Sequence, residues 1–582
     1  MNKMFFNVIH RADGGTAELE ALQFQQDTSH QLGLKTTILM SYSALQDSRM
    51  MEYIKQQLKE YGDELGLHFH SLLCDDYKKR FKTRCRHFYL LPFEMKKKII
   101  DTMMEEFEAY FGFLSQSLGS YVLDAQTLNY IHEKFPQVNA AITNCFEEGI
   151  KMFEGCNHGW YLFSDGGPWG AYYPSHANAL CPAGEMSESN GIVGLPHLNR
   201  DMLLAVNSRD DFFSSHPLNL SRAKINDGDE CTYMYRFIDQ WIEQARYNGY
   251  SYYNIFVSLP WVMPGSPFVE TVEIARSLYY KNLAYLKKKT EEGSAVNVTM
   301  TEFAKWYKEN KKVGPSEAVL WNDILCGTKR QMFWYMDSSM RITIDPYAGG
   351  SIVDLRPYAG RLVRNVSPEE ENLSNGSYPF IINSENRGGA GGSIHSAKIS
   401  ARGKTAALYD RRTRGMVEKG EDGKVHFVTQ PITFNLGGLS VTIVSKFTFG
   451  ESGKVLIERK ITELSEPNEV VEITEFHTGE WGTTVYPEDL RGMELLACNS
   501  SGEVQRQLTY AYSDRVFEVK DPGQMEARIP MVNTRVKLVP ETRADFGRID
   551  EGYLFRPFYT LELGKTLKEG ESMKSWLIIE KL

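Results

Sequence analysis

The chain lacks the cysteine spacing of a disulfide framework or a zinc finger. Its eight cysteines are scattered over 582 residues and include no Cys-x-x-Cys pair. Scattered thiols fit a reducing compartment, so we expect buried, inert cysteines and a cytoplasmic location. An export signal removed from the chain would leave no trace in this sequence.

Long basic and long apolar runs are also missing. The net charge is −10 and no basic run exceeds Lys96-Lys97-Lys98, which argues against a phosphate-tracking surface for nucleic acid. No stretch reaches the roughly 18 apolar residues that a spanning helix needs, so we expect no membrane partner. With 42% hydrophobic and 24% charged residues, the composition predicts a globular protein whose partner is neutral.

Two patterns divide the chain into two predicted domains, residues 1–326 and 327–582. The first alternates short apolar runs with amphipathic segments, which is typical of βα repeats around a parallel sheet. Helical spacing of apolar residues predicts helices over 93–114 and 269–286. The predicted strands of this α/β barrel are 5–10, 36–41, 66–70, 120–124, 138–143, 191–196 and 253–259.

The second domain changes to a period of two from Met340 onward, with glycine, serine and asparagine between the runs. Residues 441–449 and 455–461, joined by a Gly-Glu-Ser-Gly turn, predict a long β-hairpin, and 575–579 predict a last strand. Many strands without a convincing helix predict a large antiparallel β-sandwich.

In a parallel barrel, reactive groups lie at the carboxyl ends of the strands. The first strand leads to Asp13, which the following Gly14-Gly15 can turn toward the barrel mouth, and Arg11 shares its face. Asp13 is therefore a candidate catalytic residue, and Arg11 is a candidate substrate-binding residue. The alternative is a buried Arg–Asp pair that only orders the first loop.

Two histidines follow the third strand at a spacing of two. On an extended strand, His68 and His70 point the same way, and polar imidazoles would face the barrel axis. With Asp13 they would form a His/His/Asp set that suits Zn²⁺ or another divalent metal. Alternatively, the two imidazoles hydrogen-bond a sugar or a carboxylate without metal.

Further candidates follow the later strands. Asp124 is either a second catalytic carboxylate or the N-cap of the next helix. A segment rich in aromatic residues and glycine predicts sugar-stacking surfaces, with a small aromatic core of its own as the alternative. The predicted substrate-binding residues of this segment and its continuation are His158, Trp160, Asp165, Trp169, Tyr172, Asp211 and His216.

Asp13 after the first strand, the Glu-Leu-Gly-Leu-His-Phe-His run over 64–70 and a following all-β domain suggest a family. Over residues 5–320 the pattern resembles the glycoside hydrolase/deacetylase (β/α)7-barrel superfamily, which includes polysaccharide deacetylases and class II α-mannosidases. Residues 340–360 look like the start of a galactose-mutarotase-like sandwich. Leu72 stands where deacetylases carry a second metal-binding histidine, and Arg11 stands where mannosidases carry a metal-binding one.

The resemblance implies a (β/α)7-like barrel that acts on carbohydrate. Our first hypothesis is a glycoside hydrolase in which Asp13 and Asp124 form the carboxylate pair. A second is a metal-dependent deacetylase in which Asp13, His68 and His70 hold Zn²⁺ and a metal-bound water attacks an acetyl group. A third is a carbohydrate-binding protein without catalysis. The sugar, the linkage and the oligomeric state are left open.

Overall fold

The structure is a computed structural model. It describes residues 2–582 except 71, 86–87, 89–90, 121–122, 145–167, 180, 205–214, 216–218, 220–224, 268, 270, 315, 361–380, 383–392, 481–489, 512 and 554–556. The chain forms two compact units. The N-terminal unit takes in Met1–Pro315 and Ile324–Gly327, and the C-terminal unit takes in Ser316–Asp323, Thr328–Leu362 and Pro379–Leu582.

Among the residues that the structure describes, the N-terminal unit is built on a parallel sheet of eight strands, as the alternating pattern predicts. The strands are β1 (Lys3–Ala12), β2 (Thr37–Met40), β3 (Glu64–His68), β4 (Ser117–Gly119), β5 (Ala140–Asn144), β6 (Val193–Pro196), β7 (Tyr250–Phe256) and β8 (Ala295–Asn297). Their order is β6-β5-β4-β3-β2-β1-β7, with β8 also paired to β1.

Amphipathic helices connect these strands. They are α1 (Thr16–Gln31), α2 (Tyr42–Leu45), α3 (Ser48–Tyr61), α4 (Asp75–Phe81), α5 (Phe93–Phe111), α6 (Ala125–Lys134), α7 (Thr232–Asn248), α8 (Val272–Glu291) and α9 (Met300–Asn310). The predictions of helices over 93–114 and 269–286 are confirmed as α5 and α8, with shifted ends. Among the described residues, no helix is both long enough and apolar enough to cross a bilayer.

Helix α9 lies at the amino end of the parallel sheet. Its first backbone N–H groups donate to Thr37 at the start of β2 and to Glu64 at the start of β3. Its buried Phe303 and Tyr307 belong to the same apolar core as Tyr250 and residues of β1, β2, β5 and β6. Because this end of the sheet is filled by apolar packing, the carboxyl end is where polar side chains can meet.

The two ends of the strand order, β6 and β7, share no ladder among the described residues. On the free edge of β6, the backbone of Gly194 pairs with that of Tyr172 in an antiparallel bridge. The Asn254 amide donates to Pro196 O at 3.2 Å, and Asn254 N–H donates to Asn199 Oδ1 at 2.8 Å. Side chains therefore link the two edges where a closed barrel would have a backbone ladder.

One predicted strand needs a correction. The strand expected at 120–124 is β4 at Ser117–Gly119, and Asp124 lies beyond it at the start of α6. The short run Ser117-Leu-Gly is easily missed, because glycine and serine carry no hydrophobic signal. Position 119 has no room for a side chain, because a Cβ on Gly119 would lie 2.6 Å from His68 Cδ2 and 2.7 Å from Leu39 Cδ1.

The C-terminal unit is an antiparallel β-sandwich, and its described residues form two sheets of ten strands each. The first sheet contains β9 (Glu317–Asn322), β10 (Gln331–Met336), β11 (Met340–Asp345), β12 (Ser351–Pro357), β13 (Ile394–Ala401), β14 (Lys404–Ala407), β20 (Val471–Glu480), β23 (Arg515–Lys520), β26 (Phe546–Tyr553) and β27 (Pro557–Leu567). The second contains β15 (Gly415–Lys419), β16 (Val425–Thr429), β17 (Ile432–Leu436), β18 (Leu439–Glu451), β19 (Lys454–Leu464), β21 (Glu494–Asn499), β22 (Val504–Thr509), β24 (Pro522–Ile529), β25 (Thr534–Pro540) and β28 (Ser572–Lys581).

The long hairpin predicted around residue 450 is confirmed as β18 and β19, which pair from Val441 to Glu451. The predicted last strand is confirmed within β28, which pairs with β19 and β25. Along β18 the alternate residues Val441, Ile443 and Phe447 are buried, as a period of two predicts for a strand with one face on the core.

Candidate functional site

The carboxyl ends of β1, β3, β6 and β7 bring a small set of polar and aromatic side chains together. Arg11 comes from the end of β1, His68 ends β3, His197 follows β6, and Phe256 ends β7. The His68 ring stacks on Phe256 with centroids 5.7 Å apart, and the His197 ring meets Phe256 edge-on at 4.4 Å. We call these four residues with Asp13 the strand-end cluster.

Asp13 and Arg11 form a buried ion pair at the end of β1. Arg11 Nε and Nη2 each lie 2.9 Å from Asp13 Oδ2. Asp13 Oδ1 is buried as well and has no hydrogen-bond partner among the described residues. The pair that the sequence left as an alternative is therefore present, and it leaves one carboxylate oxygen able to accept a hydrogen bond from a ligand.

The loop after Asp13 is held by hydrogen bonds from its backbone N–H groups to side-chain oxygen atoms. Gly14 N–H donates to Ser43 Oγ and Gly15 N–H donates to Asp47 Oδ2, both at 3.0 Å. A side chain on Gly14 would collide with the Ser43 carbonyl oxygen, since an added Cβ would lie 2.3 Å from it. The double glycine thus lets the loop pass close to the segment after β2, and this close approach fixes the position of Asp13.

His68 is fully buried in the strand-end cluster. Burial lowers the pKa of its imidazole well below the ordinary value, and electrostatic interactions with Arg11 and His197 lower it further. At neutral pH the ring is uncharged, so it can donate one hydrogen bond and accept another. The space for the ring exists because Gly119 on the neighbouring strand has no side chain.

The zinc site predicted at Asp13, His68 and His70 stays a prediction. The ring centroids of His68 and His70 are 6.1 Å apart with the planes perpendicular, and Asp13 Oδ2 is engaged by Arg11. Among the residues that the structure describes, no group of three His, Cys, Asp or Glu side chains could hold a metal ion.

Asp124 occupies the N-cap of α6, which was the alternative to its catalytic role. Its Oδ1 accepts from Thr127 N–H at 2.8 Å and its Oδ2 lies 2.6 Å from Lys96 Nζ. Both side chains of the ion pair are 2% exposed, so solvent does not reach it. In the sheet, β4 is separated from β1 by β2 and β3, a distance of about 14 Å along a flat sheet. Asp13 and Asp124 are therefore not neighbours in the sheet.

The two described members of the aromatic segment are buried. The Tyr172 hydroxyl donates to Ala179 O at 2.7 Å and lies 3.0 Å from Thr143 Oγ1. Burial raises the pKa of this phenol. Trp169 is 4% exposed. The roles predicted for these two residues in substrate binding stay predictions. The other predicted members lie outside the described residues: His158, Trp160, Asp165, Asp211 and His216.

Two members of the cluster were not predicted as site residues. His197 follows directly after β6, and Phe256 is the last residue of β7. The rule that reactive groups follow strand ends would have found His197 once the strand over 191–196 was assigned. Phe256 is apolar, so the strand-end rule does not select it. Only the packing of His68 and His197 against its ring identifies it as a member of the cluster.

Residues 25–317 match a family described as a domain of unknown function with a solved structure, DUF3863. Among curated proteins, no sequence matches the chain. A candidate glycoside hydrolase/deacetylase from Parabacteroides distasonis is 16% identical over 61% of this chain and 85% of its own, with a TM-score of 0.45. Resemblance to class II α-mannosidases stays a prediction.

Two further solved structures have lower scores. A galactose mutarotase-like protein from Clostridium acetobutylicum is 11% identical over 44% of this chain and 96% of its own, with a TM-score of 0.29. The 4-α-glucanotransferase from Thermococcus litoralis is 10% identical over 100% of both chains, also with a TM-score of 0.29. Similarities this distant say nothing about the reaction of this chain.

Proposed function

This chain belongs to the DUF3863 family, and we propose that it is a carbohydrate-active enzyme that hydrolyses glycosidic bonds, with Asp13 as its acting carboxylate. The observation that carries the proposal is the buried Asp13 Oδ1, which has no hydrogen-bond partner among the described residues. A buried acceptor without a partner is costly, and a bound sugar hydroxyl would supply the missing hydrogen.

The charges of the cluster favour a neutral sugar over an anionic one. The guanidinium of Arg11 is already paired with Asp13 through two nitrogen atoms. The buried His68 is uncharged at neutral pH. A uronate or sulfate group would meet a carboxylate oxygen without a new cation to compensate it, whereas a hydroxyl can donate to Asp13 and exchange hydrogen bonds with an imidazole.

Glycosidic cleavage needs a carboxylate at the anomeric centre and a proton donor for the leaving group. We assign the first role to Asp13, because the Arg11 pair holds one oxygen and orients the other. We assign proton donation to His70, the partly exposed imidazole beside His68. Asp124 is assigned a structural role, since both of its oxygens are engaged by Lys96 and by the N-terminus of α6.

The proposal is tested with purified full-length chain and a panel of neutral and uronate-containing oligosaccharides. We expect new reducing ends from a neutral glycan and a fall in kcat of at least about 100-fold in Asp13→Asn. Glu20→Gln, which changes an exposed acid on α1, is the matched control and keeps the wild-type rate. Thermal melting of each variant separates lost chemistry from lost folding.

Three outcomes would contradict the proposal in different ways. Acetate release from acetylated sugars without new reducing ends would favour the deacetylase. Binding of a glycan without turnover, equally tight in wild type and Asp13→Asn, would indicate a binding protein. A wild-type rate in folded Asp13→Asn would remove Asp13 from the reaction.

A further inference from the structure

The core of the β-sandwich contains a cluster of charged and polar side chains that the proposed function does not use. Arg459 on β19 and Glu475 on β20 come from opposite sheets and are both fully buried. Arg459 Nε lies 2.9 Å from Glu475 Oε2 and Nη2 lies 2.8 Å from Oε1, so the pair is bidentate and joins the two sheets.

His395 on β13 extends this cluster. Its Nε2 lies 2.8 Å from Glu475 Oε1, and a carboxylate can only accept, so Nε2 carries the hydrogen. Burial would raise the pKa of Glu475, but the charge of Arg459 and the hydrogen bonds from His395 and Arg459 lower it to about 2. With the hydrogen on Nε2, the uncharged form of the ring has a lone pair on Nδ1 that can accept a hydrogen bond.

Three buried polar atoms on Arg459, His395 and Ser445 have no hydrogen-bond partner among the described residues. They are Arg459 Nη1, His395 Nδ1 and Ser445 Oγ. Ser445 on β18 lies directly opposite Arg459 in the antiparallel ladder, so the two side chains leave the sheet on the same face. Arg459 Nη2 and His395 Nε2 both contact one oxygen of Glu475, which places the guanidinium and the imidazole side by side.

We infer that an ordered water molecule is bound between Arg459, His395 and Ser445 inside the sandwich. This water accepts a hydrogen bond from Arg459 Nη1, donates one to His395 Nδ1 and exchanges one with the Ser445 hydroxyl. The three partners match the number that buried waters usually make. Leaving the three polar atoms unpaired costs more than immobilising one water, so the occupied site is favoured.

The direct test is a crystal structure of the full-length chain at a resolution that shows ordered water. We expect one peak at about 2.7–3.2 Å from Arg459 Nη1, with Ser445 Oγ and His395 Nδ1 also in range. No peak at this place would overturn the inference. A peak with the anomalous signal of a halide ion would overturn it as well, because the ligand would then be an anion.

A solution test counts long-lived internal waters by oxygen-17 magnetic relaxation dispersion. Ser445→Val removes the hydroxyl and fills its space, so we expect one long-lived water fewer than in wild type. Ser440→Val, a partly exposed serine on the same strand, is the control and leaves the count unchanged. Equal counts in all three proteins would contradict the inference, and if Ser445→Val does not fold, the wild-type crystal structure decides.

Discussion

Two buried imidazoles make the stability of the N-terminal unit depend on pH. Burial, followed by the electrostatic interaction with His30, lowers the pKa of His10 to about 3. The pKa of His68 is lowered well below its ordinary value, mainly by burial. In the unfolded chain both return to about 6.5, so the unfolded state binds protons that the native state does not. The free energy of unfolding is therefore highest above pH 6.5, where both imidazoles are uncharged in both states. It decreases as the pH falls below 6.5, because the unfolded chain then takes up protons.

The magnitude follows from proton linkage. Below pH 6.5 each such imidazole removes about 1.4 kcal/mol of unfolding free energy per pH unit. Between pH 7 and pH 5 that amounts to about 2 kcal/mol for each of His10 and His68. Most carboxylates titrate below pH 5. The decrease in unfolding free energy between pH 7 and pH 5 is therefore due to the imidazoles.

The test compares the pH dependence of His10→Gln with that of wild type. His10 Nε2 lies 2.7 Å from the Tyr279 hydroxyl, a contact that a glutamine amide can keep. Urea unfolding of the full-length chain at pH 7 and pH 5, followed by fluorescence and far-UV circular dichroism, gives the two free energies. We expect the variant to lose about 2 kcal/mol less than wild type between these pH values.

His132 provides the control, because it is exposed on α6 and its replacement removes a histidine that folding does not shield. His132→Gln should lose as much stability on acidification as wild type. If His10→Gln also loses as much as wild type, His10 titrates in the native state and the reasoning from burial is refuted.

Three further predictions concern packing and buried charge. Gly119→Ala should cost about 1–3 kcal/mol of unfolding free energy, because the added methyl group collides with the His68 ring. Denaturant unfolding measures this cost, and an unchanged free energy would contradict the tight packing of Gly119 against His68. Asp124→Ala should cost about 3–5 kcal/mol, because it removes an N-cap and leaves Lys96 buried without its carboxylate; unchanged thermal stability would contradict the buried pair. Glu475→Gln should destabilise the C-terminal unit by a similar amount, since the arginine that it contacts would keep an uncompensated charge; replacing both partners by apolar residues should recover much of the loss.

The repeating parts of the fold were accessible from the sequence. The alternation of apolar runs and amphipathic segments predicted a parallel sheet, and the period of two after Met340 predicted the antiparallel sandwich. The exception is instructive. The strand expected at 120–124 lies at Ser117–Gly119, because its small residues are selected by the neighbouring His68 and Leu39 and not by their own hydrophobicity.

The candidate functional site could be predicted from the sequence only in part. The strand-end rule pointed to Arg11, Asp13 and His68, which lie in one cluster. The rule could not tell an acid that faces the cluster from one that caps a helix, as Asp124 does. The difference lies in Lys96, a residue 28 positions earlier whose helix passes beside α6.

The sequence by itself determined the local periodicities, the change from an α/β pattern to an all-β pattern, and the residues that follow strand ends. Each of these features depends on residues that are close along the chain. The tertiary structure decided which charges meet. Arg459 with Glu475, Lys96 with Asp124, and His197 with Phe256 are brought together from separate elements. Pairing energies of this kind depend on distance and burial, and neither is encoded in the spacing of residues along the chain.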